Sequence, residues 1–428
     1  MKFFKQLGQF MMMGARAHAQ WEIDSSNSIL RSRKKLIILG LMLIPVIAGG
    51  YVFAGDVSKA LPSIIGGKEA YNPAFYSTTI FLVSIFVGLC AGLITGCIGA
   101  GGGFVIAPAL MSVGVKGILA VGTDLFHIFA KAIMGSVIHK KLGNVSLALA
   151  LWFMLGAFFG TTAGGIINRT LYEINPVLSD AFITVVYSLM LGFLGFYSMF
   201  DFIKVWRKGG PVVTHGTKTE GVEMGSLPKT LQKMNVPPMV SFDQDITPGG
   251  YKISWLFLVL SGAFVGLAAA IMGVGGGFLT FPIFVYVLGV SSMTTVGTDI
   301  FQIIFTAGYG SIVQYAIYGF IFYTLAIGML LGSLLGIQIG AMVTKVVSGI
   351  TIRGFYALSI LAGFVNRIFA LPEKLRSMDL ISLTKPTCAI IENVGMWFFF
   401  IAVGAFGVWV IGTFLFNIKI LKGAEVRS

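Results

Sequence analysis

Asp124, His127 and Lys131 stand inside an otherwise apolar stretch of a 428-residue chain. At spacings i, i+3 and i+7 they share one face if the stretch is helical. A carboxylate in such a setting is costly in its charged form, which makes it a functional candidate by default and makes proton exchange near neutral pH feasible. Lys131 sits midway along its run, so it either pairs with Asp124 or meets an anionic ligand. Asp124 belongs to the string Gly122-Thr123-Asp124, and the same string recurs as Gly297-Thr298-Asp299. Thr and Asp also cap helices well, so capping and chemistry are both open for this motif. The two copies diverge downstream: Asp124, His127 and Lys131 match Asp299, Gln302 and Thr306.

A second feature precedes each of these strings. Gly99, Gly101, Gly102 and Gly103 are followed by Pro108, and Gly273, Gly275, Gly276 and Gly277 by Pro282. Glycine is poor inside a helix and lets the backbone unwind. The apolar runs that follow, 104–114 and 278–290, are short; the first spans only about 16 Å at helical rise, roughly half a bilayer core. They predict broken helices with tips at mid-membrane. Unwound N–H groups and a half-helix N-terminus offer partial positive charge to an anion. Close helix packing through glycine is the structural alternative. The clusters do not read as a nucleotide loop, because no strand precedes either one and no Lys-Ser/Thr follows.

These blocks form one long repeat. IGAGGGF at 98–104 matches MGVGGGF at 272–278, VGTDLF at 121–126 matches VGTDIF at 296–301, and LGAFFG at 155–160 matches LGSLLG at 331–336. Each half holds five segments. Five is odd, so the halves enter a membrane from opposite sides, an arrangement common in secondary transporters with a site where the repeats meet. Asp124 and Asp299 would then lie toward opposite faces, which suits alternating proton access.

The elements that must position these residues follow from composition. Hydrophobic residues make up 56% of the chain, charged residues 11%, and mean hydropathy is +0.89, against about a quarter charged in a soluble domain. Runs of about 20 apolar residues cross a bilayer, and only self-satisfied backbones can do so. Full-length runs lie near 36–54, 76–98, 119–138, 145–166, 178–203, 253–272, 294–317, 319–344, 350–370 and 394–417. With the two short runs they predict an all-α polytopic membrane protein of about 12 membrane segments, built as two inverted five-segment repeats with broken Gly-rich helices plus flanking helices. The expected divisions are a basic cytoplasmic region 1–35, an extra transmembrane helix 36–54, repeat 1 over 76–203 and a flexible cytoplasmic linker 204–252. Repeat 2 follows over 253–370, then an external loop 371–392 and a final transmembrane helix 393–418.

Charge sets the orientation. The first 35 residues carry seven Lys/Arg, and the linker carries seven against four acids. The positive-inside rule therefore places both termini in the cytoplasm, in a multi-pass protein of the inner (cytoplasmic) membrane. The net charge of +13 is a topology signal of this kind, not a nucleic-acid footprint. The N-terminal MMMGARAHAQW reads either as a surface helix or as a disordered basic tail. Cys90, Cys97 and Cys388 have no motif spacing and read as structural thiols. Four histidines without ligand spacing, and no GxSxG or HExxH, argue against an enzyme and against a metal or other cofactor.

The pattern GxGGGFxxxPxL at 99–110, the GTD after it, and the recurrence of both at 273–299 resemble the sulfite exporter TauE/SafE family of permeases. The likeness runs through roughly 78–205 and 253–417. It implies secondary transport of a small anion, often a sulfur oxyanion or organosulfonate such as sulfite, sulfate or sulfoacetate, without an ATP-binding domain. This chain departs in its extra N-terminal region, its 49-residue central loop, and Asp where Ser often follows Gly-Thr. The expected anion site draws on Gly99, Gly101, Gly102, Gly103, Thr123, His127 and Lys131 of the first half. From the second half it draws on Gly273, Gly275, Gly276, Gly277, Thr298 and Gln302. Asp124 and Asp299 are proton-coupling candidates, and Pro108 and Pro282 the helix breaks. The expected partners are a small anion and the lipid bilayer, with a homodimer compatible with the sequence. An anion channel and, further off, a membrane-embedded redox or enzyme subunit are the alternatives.

Overall fold

The computed structural model describes residues 78–98, 102–141, 146–208, 226–243, 250–343, 346–347 and 349–417. The expected N-terminal region 1–35, the expected span 36–54, and Gly99 and Gly101 lie outside these residues.

The first half runs α1 (Thr78–Ile98), α2 (Gly103–Ser112), α3 (Gly117–Lys141), α4 (Leu147–Ile174) and α5 (Pro176–Lys208). Between the halves lie α6 (Ser226–Lys233) and two short strands, β1 (Met239–Phe242) and β2 (Tyr251–Ser254). The second half runs α7 (Trp255–Met272), α8 (Gly277–Pro282), α9 (Ser292–Tyr309), α10 (Tyr323–Val343) and α11 (Gly349–Ser377), followed by α12 (Lys385–Phe416). A π-helical turn, Ile283–Leu288, extends α8, and another, Gly310–Tyr315, extends α9. Among the described residues, eight helices are long and apolar enough to cross a membrane. The chain is thus a multi-pass membrane protein. Helix α3 is also long enough at 25 residues, but carries Asp124, Lys131, Lys140 and Lys141. Helix α2, ten residues, and the apolar stretch Gly277–Leu288 are the two short segments. At helical rise they span only about 15–18 Å.

The halves pack by exchange. Helix α1 packs on α10, and α4 on α7, so the first segment of each half pairs with the fourth of the other. Both pairs run parallel. Gly92 lies on the backbone of Ser333 and Gly96 on Ile337, while Gly156 and Gly160 lie on Val259 and Ala263. The contacts recur every four residues, and a methyl at any of these glycines would overlap backbone of the facing helix. Without a hydrophobic drive between helices in lipid, such close backbone approach is what holds them. Helices α5 and α11 pack antiparallel, with Gly192 on Phe364 and Gly354 on Phe202. Helices α3 and α9, which carry the two GTD strings, also pack on each other.

Two connections differ from expectation. The loop expected over 371–392 is mostly helix: α11 continues to Ser377 and α12 starts at Lys385, leaving 378–384. Thr384 caps α12 by accepting the Thr387 N–H, and Pro386 fits the first turn, where its missing N–H has no helical partner to lose. The central segment is also ordered in part. Strands β1 and β2 pair antiparallel from Met239–Ser254 to Phe242–Tyr251, and Gln232 of α6 donates to the Leu288 carbonyl at 3.0 Å. Asp243, just after β1, has φ +55°, a left-handed conformation that Asp tolerates better than most residues. Its carboxylate accepts the Ser291 N–H (2.7 Å), the Ser291 hydroxyl (2.8 Å) and the Thr294 hydroxyl (2.5 Å), and so closes the start of α9. In the first half Asp180 of α5 plays the matching part, accepting the Gly117 N–H at the start of α3 at 2.8 Å.

Candidate anion site between the halves

The two glycine breaks meet. Gly103 packs against the backbone of Val274, and the rings of Phe104 and Phe278 lie 6.4 Å apart. At the second break Gly273, Gly275 and Gly276 all have positive φ, +80°, +68° and +86°, which explains three glycines there. Gly273 closes α7 in the left-handed form, its N–H bonding to the Ala269 carbonyl. The last carbonyls of α7 would otherwise be unpaired in the core. Side chains from elsewhere satisfy them. Asn168 of α4 donates to Ala270 and Ile271, Tyr315 donates to Ala270, and Tyr187 of α5 donates to Met272. The first break is tied differently: the Gly102 N–H donates to the Thr95 hydroxyl of α1 at 2.7 Å.

Asp124, His127 and Lys131 do share one face of α3, and all three are buried. Lys131 reaches the same Thr95 hydroxyl at 3.3 Å. Thr95 thus accepts from a buried ammonium and from the backbone at the start of α2. No carboxylate contacts Lys131 among the described residues; Asp124 lies instead beside His127, its Oδ1 3.6 Å from Nδ1. The other ring nitrogen, Nε2, is 2.9 Å from the Ser333 hydroxyl of α10. Among the described residues, neither Asp124 oxygen, nor His127 Nδ1, has a hydrogen-bond partner.

The second half is built otherwise at matching positions. Gln302 donates to Asp299 Oδ1 at 2.9 Å and accepts from the Thr306 hydroxyl at 3.0 Å. Gln302 and Thr306 line a small cavity with Gly275, Thr161 and Gly266. Its volume is ≈ 10 Å³, close to the least that holds one water and too small for an oxyanion without movement of its walls.

The two motif threonines bind backbone across the halves. Thr123 accepts the Phe322 N–H, immediately before α10, at 2.8 Å. Thr298 accepts the N–H of Ser146, the residue that caps α4, at 3.0 Å. Each expected threonine therefore holds the fourth segment of the opposite half. Pro108 lies inside α2, and Pro282 ends α8 where the π-helical turn begins.

Several residues at the site escaped sequence reading. Arg367 of α11 is buried and donates to the Pro108 carbonyl at 3.1 Å and to the Ser112 hydroxyl at 2.8 Å. Arg169 of α4 is buried and donates to the carbonyl and side chain of Gln314. Its guanidinium stacks over the Tyr318 ring at 4.0 Å. Thr95 and Ser333 are single hydroxyls in apolar runs, with nothing in their spacing to set them apart.

Comparison with known proteins agrees with this architecture. The family model for sulfite exporter TauE/SafE matches residues 84–366. The Probable membrane transporter protein YunE of Bacillus subtilis is 30% identical over 199 residues, 46% of this chain and 70% of that one. The Probable membrane transporter protein YjnA of the same organism is 23% identical over 273 residues, 62% of this chain and 89% of that one. The Sulfite exporter TauE/SafE family protein 6 of Arabidopsis thaliana is 35% identical over 74 residues, 17% of each chain. No solved structure matches. With two thirds of its length matched by the family and its glycine breaks brought together between two exchanged halves, the chain belongs to the sulfite exporter TauE/SafE family of membrane transporters, a family of permeases and not of enzymes.

Proposed function

We propose that this protein is a secondary transporter that moves a small anion, a sulfur oxyanion or an organosulfonate, across the cytoplasmic membrane by alternating access of two inverted halves. The observation that carries the reading is the convergence of Lys131 and the Gly102 N–H on one hydroxyl at the first glycine break. A buried ammonium with no carboxylate contact among the described residues needs oxygen acceptors, and an anion supplies them. The start of α2 adds partial positive charge.

Inversion is supported by the parallel pairing of α1 with α10 and of α4 with α7. Successive crossings alternate in direction, so the first and fourth segments of one half run oppositely, and parallel pairing across the halves fits only inverted halves. Positive charge in the central segment puts that side, and both termini, in the cytoplasm. Proton coupling through the buried motif carboxylates fits the same frame. Uptake of radiolabelled sulfite, sulfate, thiosulfate and sulfoacetate into proteoliposomes, with and without a pH gradient, tests the proposal. Gradient-dependent accumulation of one of them supports it. Ion currents far above carrier rates would favour a channel.

A further inference from the structure

We infer that Arg367, a residue of the second half, is a positioning residue for the anion site of the first: it grips the far end of α2 and so keeps the Gly102 N–H aimed beside Lys131. Helix α2 needs such a grip. It has ten residues, it follows the glycine break, and Pro108 inside it donates no N–H, which takes one rung from a short ladder. Two neighbouring side chains of α11 supply the hold. The Arg367 guanidinium donates to the Pro108 carbonyl at 3.1 Å and to the Ser112 hydroxyl at 2.8 Å, and its Nε donates to Asn366 Oδ1 at 2.7 Å. Asn366 Nδ2 donates to the same Ser112 hydroxyl at 2.9 Å, and that hydroxyl donates to the Pro108 carbonyl at 2.8 Å. Arg367 and Asn366 are each 2% exposed. Nearer the break, the Phe104 ring meets Tyr356 of α11 edge-on at 5.7 Å.

Charge separates the role of Arg367 from that of Lys131. Among the described residues, neither forms an ion pair with a carboxylate. Arg367 lies toward the C-terminal end of α2, where the helix dipole favours a cation. Lys131 lies at the start, where the dipole disfavours one, its Nζ 3.3 Å from the Thr95 hydroxyl that accepts the Gly102 N–H. The helix thus stabilises the cation that holds it, and the other cation is left for an anion. A planar guanidinium suits the holding task, because it engages acceptors one helical turn apart in a fixed geometry that a lysine ammonium does not impose.

The grip crosses between the halves and is reciprocated. Tyr187 of α5, the matching helix of the first half, donates to the Met272 carbonyl at the second break. The packed pair of α5 and α11 therefore holds each break from the opposite half.

The inference rests on the proposed anion site, so its experiment has two readouts. Hydrogen exchange of the full protein in lipid nanodiscs needs no substrate. Arg367→Gln should quicken exchange over 102–112 at least about tenfold, as loss of hydrogen bonds from a charged donor implies, and leave 273–282 unchanged. Sulfite counterflow in proteoliposomes should show the half-saturating concentration raised about tenfold, with the maximal rate per folded protein retained. A residue serving stability alone would lower the yield of folded protein without moving half-saturation. Arg367→Lys, which keeps the charge and loses the fork, should fall between wild type and Arg367→Gln in both readouts. If Arg367→Gln fails to fold, Ser112→Ala removes the acceptor shared by Arg367 and Asn366 and should give the same two changes in smaller measure. Unchanged exchange over 102–112, equal quickening over 273–282, or quickened exchange with unmoved half-saturation would each overturn the inference. A wild type that exchanges no sulfite would count against the transport reading, and hydrogen exchange alone would then support or overturn the grip of Arg367 on α2.

Discussion

Thr123 in the first half accepts the backbone N–H of Phe322 in the second, and that bond fixes where α10 begins. Thr298 and Ser146 repeat it in the opposite sense. The GTD string therefore does two jobs with adjacent residues. The threonine ties the halves together, and the aspartate stands buried beside it.

Removing that tie should weaken the fold from either side. Thr123→Val and Thr298→Val each leave a backbone N–H without its cap, which costs about 1 kcal/mol. Thermal unfolding in detergent should show both losses, and Thr→Ser at either position should restore most of the stability. If valine at both positions left the melting temperature unchanged, the tie would be idle.

The glycines of the exchanged pairs should be far less tolerant. Gly160→Ala drives a methyl into the carbonyl of Ala263 on α7, whereas Gly412→Ala in α12 meets nothing within 4 Å. Overpacking of this kind costs about 1–3 kcal/mol, while the alanine in α12 should be neutral or slightly stabilising. Equal melting temperatures for the two variants would argue against parallel glycine packing of α4 on α7.

Asp243 gives a third expectation. Asp243→Ala removes the shared acceptor of the Ser291 N–H and of two hydroxyls at the start of α9, at about 1–3 kcal/mol. Hydrogen exchange should quicken over the first turns of α9 and stay unchanged in α3, whose start is held by Asp180. Uniform exchange across both helices would mean that the central segment does not restrain the second half.

The sense of the halves is open to labelling. Glu173 and Val347 lie just at and beyond the ends of α4 and α10. In an inverted arrangement Glu173→Cys reacts with a membrane-impermeant maleimide from outside intact cells, and Val347→Cys only after the membrane is opened. The native Cys90, Cys97 and Cys388 are all buried and should stay silent. Reaction of both engineered cysteines from the same side would contradict inversion.

Much of this architecture was legible in the sequence because bilayer thickness dictates helix length. Runs of about 20 apolar residues and two glycine clusters sufficed for the helices and their breaks. Which helices pair was not read. The four-residue glycine spacing in 88–96 and 328–340 carried that signal, but glycine spacing alone does not name a partner. Arg169 was not singled out, because a basic residue near a helix end reads as an interfacial charge; α4 runs on to Ile174, and the guanidinium turns inward to Gln314. His127 and Gln302 looked like equivalent polar positions. The structure separates them: Gln302 donates to Asp299 at 2.9 Å, whereas His127 Nδ1 lies 3.6 Å from Asp124 Oδ1, beyond hydrogen-bond distance.

The most direct test of the anion site is sulfite counterflow in proteoliposomes with wild type and Lys131→Met, insertion being verified for both. The wild type should exchange sulfite across the membrane, and Lys131→Met, nearly equal in volume but without charge, should reduce exchange at least about tenfold, the loss of roughly 1.4 kcal/mol of binding. Equal exchange by the two proteins would contradict a site in which the Lys131 ammonium and the Gly102 N–H hold the anion.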